Sequence, residues 1–227
     1  MTGAPPRLRT LHAADLGPMA DLHRSAFPDS VLSALGSETL RRYYRWQIDG
    51  PHQVEPIGAF LDDELVGFLV GGRFHGSMIG FVKGQAAFLV VQVMRHPAVV
   101  RGGRGRRAIA TGLRLLVRPA GRTTPERPDR VPDGSFGVLA IAVAPHHRRL
   151  GIGSALFAEA ERRARATGMH RLHLTLDPSN PGAVAFYEGQ GWRRLGLPGD
   201  TDHQWLMGKT LSPEPGAAFG EDPGPRS

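Results

Sequence analysis

The sequence predicts an α/β fold on three observations. Phe136 to Ala144 is an almost wholly apolar run with several β-formers (Phe136, Val138, Ile141, Val143), the pattern of a strand buried on both faces. The next segment, Arg148-Arg149-Leu150-Gly151-Ile152-Gly153, is a basic, glycine-rich turn that opens a helix running to Ala166. Arg171 to Leu176 then alternates as a second strand, so strand, helix and strand follow one another as in layered α/β domains.

In chain order, residues 1–7 read as a flexible lead-in, and Leu8 to Leu11 as a short first strand. Asp15 to Phe27 has apolar residues close to helical spacing, with Asp15 as its N-cap. Pro28-Asp29-Ser30 breaks that helix. Val31 to Leu35 is one helical turn ended by Gly36, and Ser37 caps a further helix through Ile48. Ile57 to Leu61 and Leu65 to Val70 flank the polar triplet Asp62-Asp63-Glu64 as a β-hairpin. Gly71 to Gly76 reads as a glycine-broken loop. Met78 to Arg95 and Ala98 to Val117, separated by Pro97, read as two helices, and the proline-rich, charged stretch Gly121 to Pro132 as a mobile linker into the central strand. Pro145 ends that strand, because proline donates no ladder hydrogen bond. Gly168 closes the helix after it. Asp177 to Asn180 forms a turn and cap with Pro181 at the first helical position, and Ala183 to Gln190 is a short helix ended by Gly191. Trp192 to Leu195 and Gln204 to Leu211 complete the sheet, and residues 212–227, with little to bury, are expected to be disordered. Residues 8–211 thus form a single domain, in which 77–132 is a helical insertion with its linker.

Composition narrows the function. The 227-residue chain is 41% hydrophobic, enough for a sizeable core. Its net charge of +7 is nearly all arginine and favours anionic partners such as nucleotides, RNA, acidic glycans or a membrane surface, although an arginine-rich genome gives the same balance. The absence of cysteine excludes disulfides, thiol catalysis and cysteine-ligated metals. The first residues lack the apolar core of a signal peptide, and no apolar run reaches the ~18 residues of a membrane span, so a cytoplasmic protein is expected.

The strand–turn–helix segment carries the chemistry. It aims free backbone N–H groups and the positive end of a helix dipole at one point, where a pyrophosphate is expected to sit. Gly151 and Gly153 allow close approach and left-handed backbone angles, and Arg148 and Arg149 add charge-assisted contacts.

Val143 to Leu156 resembles the pyrophosphate-binding motif of the GNAT superfamily of acyl-CoA-dependent N-acetyltransferases, whose core is Arg/Gln-x-x-Gly-x-Gly/Ala. Asn180 to Trp192, with Asn180, Ala183, Phe186-Tyr187 and Gly191-Trp192, resembles that family's later motif, with Trp192 in place of the usual Phe. The resemblance implies a central mixed sheet flanked by helices, splayed fourth and fifth strands, and here a helical insertion between the third and fourth strands. It implies acetyl-CoA as cofactor, bound through Ala142, Val143, Arg148, Arg149, Leu150, Gly151, Ile152, Gly153, Ser154, Asn180 and Ala183. The implied reaction is direct attack of a primary amine on the thioester, with no acyl-enzyme. A backbone N–H near Val143 would stabilise the carbonyl oxygen, a contribution of about 3 kcal/mol. Tyr187 would be the general acid: a phenol of pKa ~10, above a thiol's ~8.5, stays protonated at neutral pH yet can hydrogen-bond a leaving thiolate. Tyr187 could equally be a core aromatic, and Asn180 simply a helix cap. The general base stays open among His173, Asp177, Glu38, His75 and His23. The acceptor is open too: a small metabolite, an amino sugar or a protein N-terminus. A non-catalytic acyl-CoA sensor or RNA-associated module on the same fold is the alternative.

Other signals are weaker. Gly151-Ile152-Gly153 is no dinucleotide fingerprint, because Leu156 occupies the third-glycine position. His146 and His147 have no ligand partner at metal spacing, so no metal site is expected. Arg101 to Arg107 is one short arginine-glycine copy without interleaved aromatics, and no nucleic-acid partner is expected. The apolar, arginine-flanked insertion has three readings: a cover on the substrate side, a dimer contact, or a surface lying on anionic membrane. The first two are preferred, so a homodimer is possible.

Overall fold

The computed structural model describes residues 5–74, 77–101, 103, 105, 106, 110, 134–196 and 204–212. Among them, the strands are β1 (Arg7–Thr10), β2 (Gln53–Leu61), β3 (Glu64–Arg73), β4 (Phe136–Val143), β5 (Arg171–Leu176), β6 (Arg193–Arg194) and β7 (Trp205–Thr210). They form one sheet in the order β1-β2-β3-β4-β5-β7-β6. Every neighbouring pair is antiparallel except β4 and β5, which run parallel across a helical crossover. The fold is therefore mixed α/β, as expected.

The helices are α1 (Leu16–Ala26), α2 (Val31–Ala34), α3 (Ser37–Asp49), α4 (Ser77–Gly84), α5 (Ala86–Arg95), α6 (Ala98–Arg101), α7 (Ile152–Ala166) and α8 (Pro181–Gly189). One face of the sheet packs on α7 through Ile152, Leu156, Phe157, Ala160 and Ala164, together with Leu172, Leu174 and Trp192. The spacing of those α7 residues places them on one stripe of the helix. The other face packs on α1 and α3 through Met19, Ala20, Leu40, Tyr43 and Tyr44. Phe81 of α4 is 1% exposed and meets Tyr43 edge-on with ring centroids 5.3 Å apart, so the insertion is anchored to that same core.

Several expectations change in detail. Asp15 stands at the N-cap of α1, but its carboxylate makes no cap bond. It accepts from the His12 N–H (2.8 Å) and from both terminal nitrogens of Arg9 (2.8 and 2.7 Å), because a guanidinium is the stronger partner. Gly36, at φ +93°, caps α3 in place of Ser37, which is the first helical residue. Gly71 and Gly72 lie inside β3, paired to Glu55 and Val54 on one side and to Val138 and Gly137 on the other. The Phe136 ring fills the space a Gly71 side chain would need, so the glycine serves packing rather than a loop. The single helix expected over Met78 to Arg95 is two, bent by 82° at Gly84-Gln85. Ala98–Arg101 is helical, while most of the rest of the expected helix to Val117 lies outside the described residues, as do the linker 121–132 and the tail from 213. The strand expected at Trp192 to Leu195 is only the two residues of β6.

The hairpin between β2 and β3 turns on Asp62 (φ 45°) and Asp63 (φ 66°), both left-handed. Two such residues make the mirror-image turn that matches strand twist, and aspartate tolerates it better than most side chains.

Candidate active site

The site begins with a bulge. Val70 pairs with Ala140 and Gly71 with Val138, so Leu139 is an extra residue in β4. A bulge bends its strand. At the same place β4 leaves β5: they pair only at Phe136–Leu172, Gly137–His173 and Val138–Leu174. Beyond that point β4 stays on β3 as far as Val143, and β5 stays on β7 as far as Leu176. The two central strands splay into a wedge, as the family resemblance implied.

Backbone alternation decides which amides line the wedge. The Ala144 N–H donates to Val66 O at 2.8 Å, so Ala144, Ala142 and Ala140 point to β3. Val143 and Ile141 therefore point to the open edge. Ala142 is 3% exposed within the core under α1, and the Val143 N–H faces the open edge.

Each arm of the wedge feeds a helix. Past Val143 the chain makes a 3₁₀ turn at Pro145–His147, then passes Arg149 (φ 64°) and Gly151 (φ 78°) before α7 opens at Ile152. A left-handed arginine costs about 1–2 kcal/mol, and alternating handedness turns successive N–H groups to one side as an anion nest. The first intrahelical bond runs from Ala155 N–H to Gly151 O (3.0 Å), leaving the N–H groups of Ile152, Gly153 and Ser154 to other acceptors. Arg148, Arg149, Leu150 and Gly151 are exposed. Arg148 also reaches the Ala26 carbonyl at the end of α1 (3.5 Å). The two glycines differ in purpose. A Cβ on Gly151 would touch no protein atom, so only its φ requires glycine, whereas one on Gly153 would lie 3.0 Å from Phe186. The free amides, exposed arginines and absence of any obstructing atom at Gly151 fit a diphosphate.

The other arm leads through Asp177 to Asn180, whose Oδ1 accepts from Ala183 N–H (3.1 Å) and caps α8. The Ala183 N–H is thereby used, and the Asn180 amide nitrogen stays available as a donor. Helix α8 lies on the first turns of α7. Phe157 meets the rings of Phe186 (5.9 Å), Tyr187 (5.8 Å) and Trp192 (5.4 Å). Tyr187 is half-buried in this cluster, and burial pushes its hydroxyl up to about 12. Its ring packs in the core while its phenol stays protonated across the physiological range.

The candidate bases fare unequally. His23 is buried, its Nδ1 2.7 Å from the Tyr44 hydroxyl and its Nε2 3.2 Å from Ser30 Oγ. His173 sits at the closed end of the wedge with Nδ1 2.6 Å from Ser135 Oγ. Burial lowers both to about 4, too weakly basic to take a proton from an ammonium. Glu38 accepts from Arg42 (2.9 Å) and Arg41 (3.1 Å), which hold it below the usual carboxylate range. Asp177 is exposed on the wedge rim, its Oδ1 accepting from Ser179 N–H at 2.9 Å. His75 lies outside the described residues. Among the described residues no cluster of His, Asp and Glu could hold a metal ion. A cavity of about 730 Å³, which sequence reasoning missed, opens between the start of α3 and the insertion, lined by Leu35, Glu38, Arg42, Phe88, Gln92 and His96.

Comparison with known proteins agrees with this arrangement. Residues 17–192 match the model of the acetyltransferase (GNAT) family. The PaiA N-acetyltransferase of Thermoplasma acidophilum, solved in complex with coenzyme A, is 15% identical, with a TM-score of 0.55 over 91% of this chain and 99% of that one. The ribosomal-protein-S18-alanine N-acetyltransferase of Escherichia coli is 14% identical (TM-score 0.53, covering 94% and 99%). The ribosomal-protein-alanine N-acetyltransferase of Brucella melitensis is 18% identical (TM-score 0.52, covering 90% and 99%). No curated protein sequence matches significantly. With the family match spanning residues 17–192, the chain belongs to the GNAT family of acetyltransferases, whose acyl donor is acetyl-CoA.

Proposed function

We propose that this protein transfers an acetyl group from acetyl-CoA to a primary amine by direct attack. The observation that carries this reading is the wedge: a strand edge offering the Val143 amide, with the diphosphate-type turn on one arm and the Tyr187 helix on the other. Acetyl-CoA supplies the activated acetyl thioester. The amides of Gly151 to Ser154, with Arg148 and Arg149, hold the diphosphate, while Leu150 flanks it and Asn180 bonds the pantetheine arm. The Val143 N–H bonds the thioester carbonyl oxygen as it gains charge, the kind of aimed donor that contributes about 3 kcal/mol. The amine nitrogen bonds to the carbonyl carbon, the carbon–sulfur bond breaks, and Tyr187 gives its proton to the departing sulfur and regains one from water. The proton lost by the amine leaves by way of water. A cysteine-free chain offers no thiol for an acyl-enzyme, which supports the direct route.

Proteins of this fold include ribosomal-protein-alanine N-acetyltransferases, so the acceptor panel includes peptide N-termini beside small amines and amino sugars. Release of free thiol from acetyl-CoA, followed across that panel, tests the proposal. Turnover with at least one amine is expected. Tight acetyl-CoA binding with no turnover on any amine would instead make the protein a sensor.

A further inference from the structure

Helix α5 is apolar on two sides. Leu89 packs into the core beneath α3, and the Arg42 guanidinium covers the Phe88 ring at 4.1 Å. The far side carries Val90 and Met94, four apart, and Ala87 and Val91 beside them line the edge of the cavity that faces α3; all four are exposed. Val90 is 54% and Met94 67% exposed, values at which neither side chain is part of a core. Five of the seven large apolar side chains exposed among the described residues (Met78, Val90, Val91, Met94 and Val100) fall within this one stretch. Single exposed apolar residues need no explanation, but a contiguous group does.

The charge of the same region is one-sided. Between residues 65 and 125 the chain has ten arginines and lysines and no aspartate or glutamate, while the remainder has eighteen basic and twenty-one acidic side chains. The whole positive excess of the protein therefore resides here. Arg95, Arg101 and Arg106 of the same stretch are exposed. Helices α4 and α5 have eight and ten residues, or ~12 and ~15 Å, against the ~30 Å of a hydrocarbon layer. They also turn by 82° where they meet. Neither helix alone is long enough to cross a bilayer, and their bend suits lying in its interface.

We propose that this face of the insertion docks on an anionic lipid bilayer. Val90, Val91 and Met94 enter the boundary between headgroups and acyl chains, and Arg95, Arg101 and Arg106 meet lipid phosphates. A second copy of this chain fits the face poorly, because the cationic side chains of Arg95, Arg101 and Arg106 would be set against themselves. RNA fits poorly as well: exposed valine and methionine offer it nothing, and the Phe88 ring that could stack on a base is occupied by Arg42.

Co-sedimentation of the full chain with phosphatidylcholine vesicles, and with vesicles that also contain phosphatidylglycerol, tests this. The protein is expected to bind the anionic vesicles, to release them at high salt and to ignore the neutral ones. Arg101→Ala should weaken partitioning about fivefold. The double variant Val90→Glu, Met94→Glu should lose it by tenfold or more, while its thermal melt and acetyl-CoA affinity stay as in the parent, since both side chains are exposed. Equal binding to neutral vesicles, no vesicle binding, or full binding by the double variant would overturn the proposal. So would a dimer by light scattering, or an RNA complex, that the double substitution dissolves while vesicle binding persists.

Discussion

Gln190 Nε2 donates to Ser154 Oγ at 3.1 Å, so the C-terminal end of α8 is tied to the first turn of α7. The Phe186 ring closes against Gly153 in the same place. Through these contacts the turn that would hold the diphosphate and the helix that carries Tyr187 move as one body. Geometry of this kind matters because a proton donor is effective only within hydrogen-bond reach of its target.

Tyr187→Phe keeps the ring contacts to Phe157 and Trp192 and removes only the hydroxyl. Turnover should fall on the order of 10²-fold, with acetyl-CoA affinity unchanged. Steady-state kinetics beside calorimetric titration separates the two. An equal loss in both would make Tyr187 a packing residue only.

Gly151 separates backbone from bulk. Gly151→Ala meets no atom but must adopt φ 78°, which costs about 1 kcal/mol. It should fold and bind acetyl-CoA slightly more weakly. Gly151→Glu sets a carboxylate at the diphosphate position and should abolish binding, read by calorimetry.

Stability should fall in mild acid. His23 and His173 are lowered by burial to about 4, against ~6.5 in the unfolded chain. Between those values the unfolded state binds protons that the folded state refuses. The stabilisation is complete above ~pH 6.5 and is lost as pH falls toward 4, on the order of 2 kcal/mol for each histidine. Glu159, lowered to about 2 chiefly by its bond to Arg162, acts in a separate window below ~4.5. Denaturant melts across pH 4 to 7 measure the slope, and His173→Gln should reduce it by about half.

Gln47 is fully buried on α3, and neither its Oε1 nor its Nε2 has a hydrogen-bond partner among the described residues. An unpaired buried amide costs about 1–3 kcal/mol. Gln47→Met, close in volume, should raise the urea midpoint with no change in slope. A lower midpoint would mean that the amide is satisfied in solution.

The readable parts of the fold were those set by local chemistry. Pro145, Gly168, Pro181 and Gly191 marked ends that the elements obey, and the Asp62-Asp63 turn followed from its flanking strands. The misplaced parts depend on partners outside their own element. Gly71 reads as a breaker until the Phe136 ring is seen to occupy its side-chain space, and Asp15 reads as a cap until Arg9 reaches it. The wedge has no local signature either, because it opens at the Leu139 bulge, which depends on β3. Its position came from the family resemblance. The hydrogen bond joining His23 to Tyr44 was invisible for a related reason: it links side chains on two helices, 21 residues apart in the chain.

Backbone amide NMR during titration with coenzyme A tests the central claim most directly. The account predicts that the largest shift changes fall on Val143 and on Gly151 through Ser154, with smaller ones at Asn180 and Tyr187. Changes confined to the cavity between α3 and α5, around Glu38, Phe88 and Gln92, with the Gly151 to Ser154 amides unmoved, would contradict it.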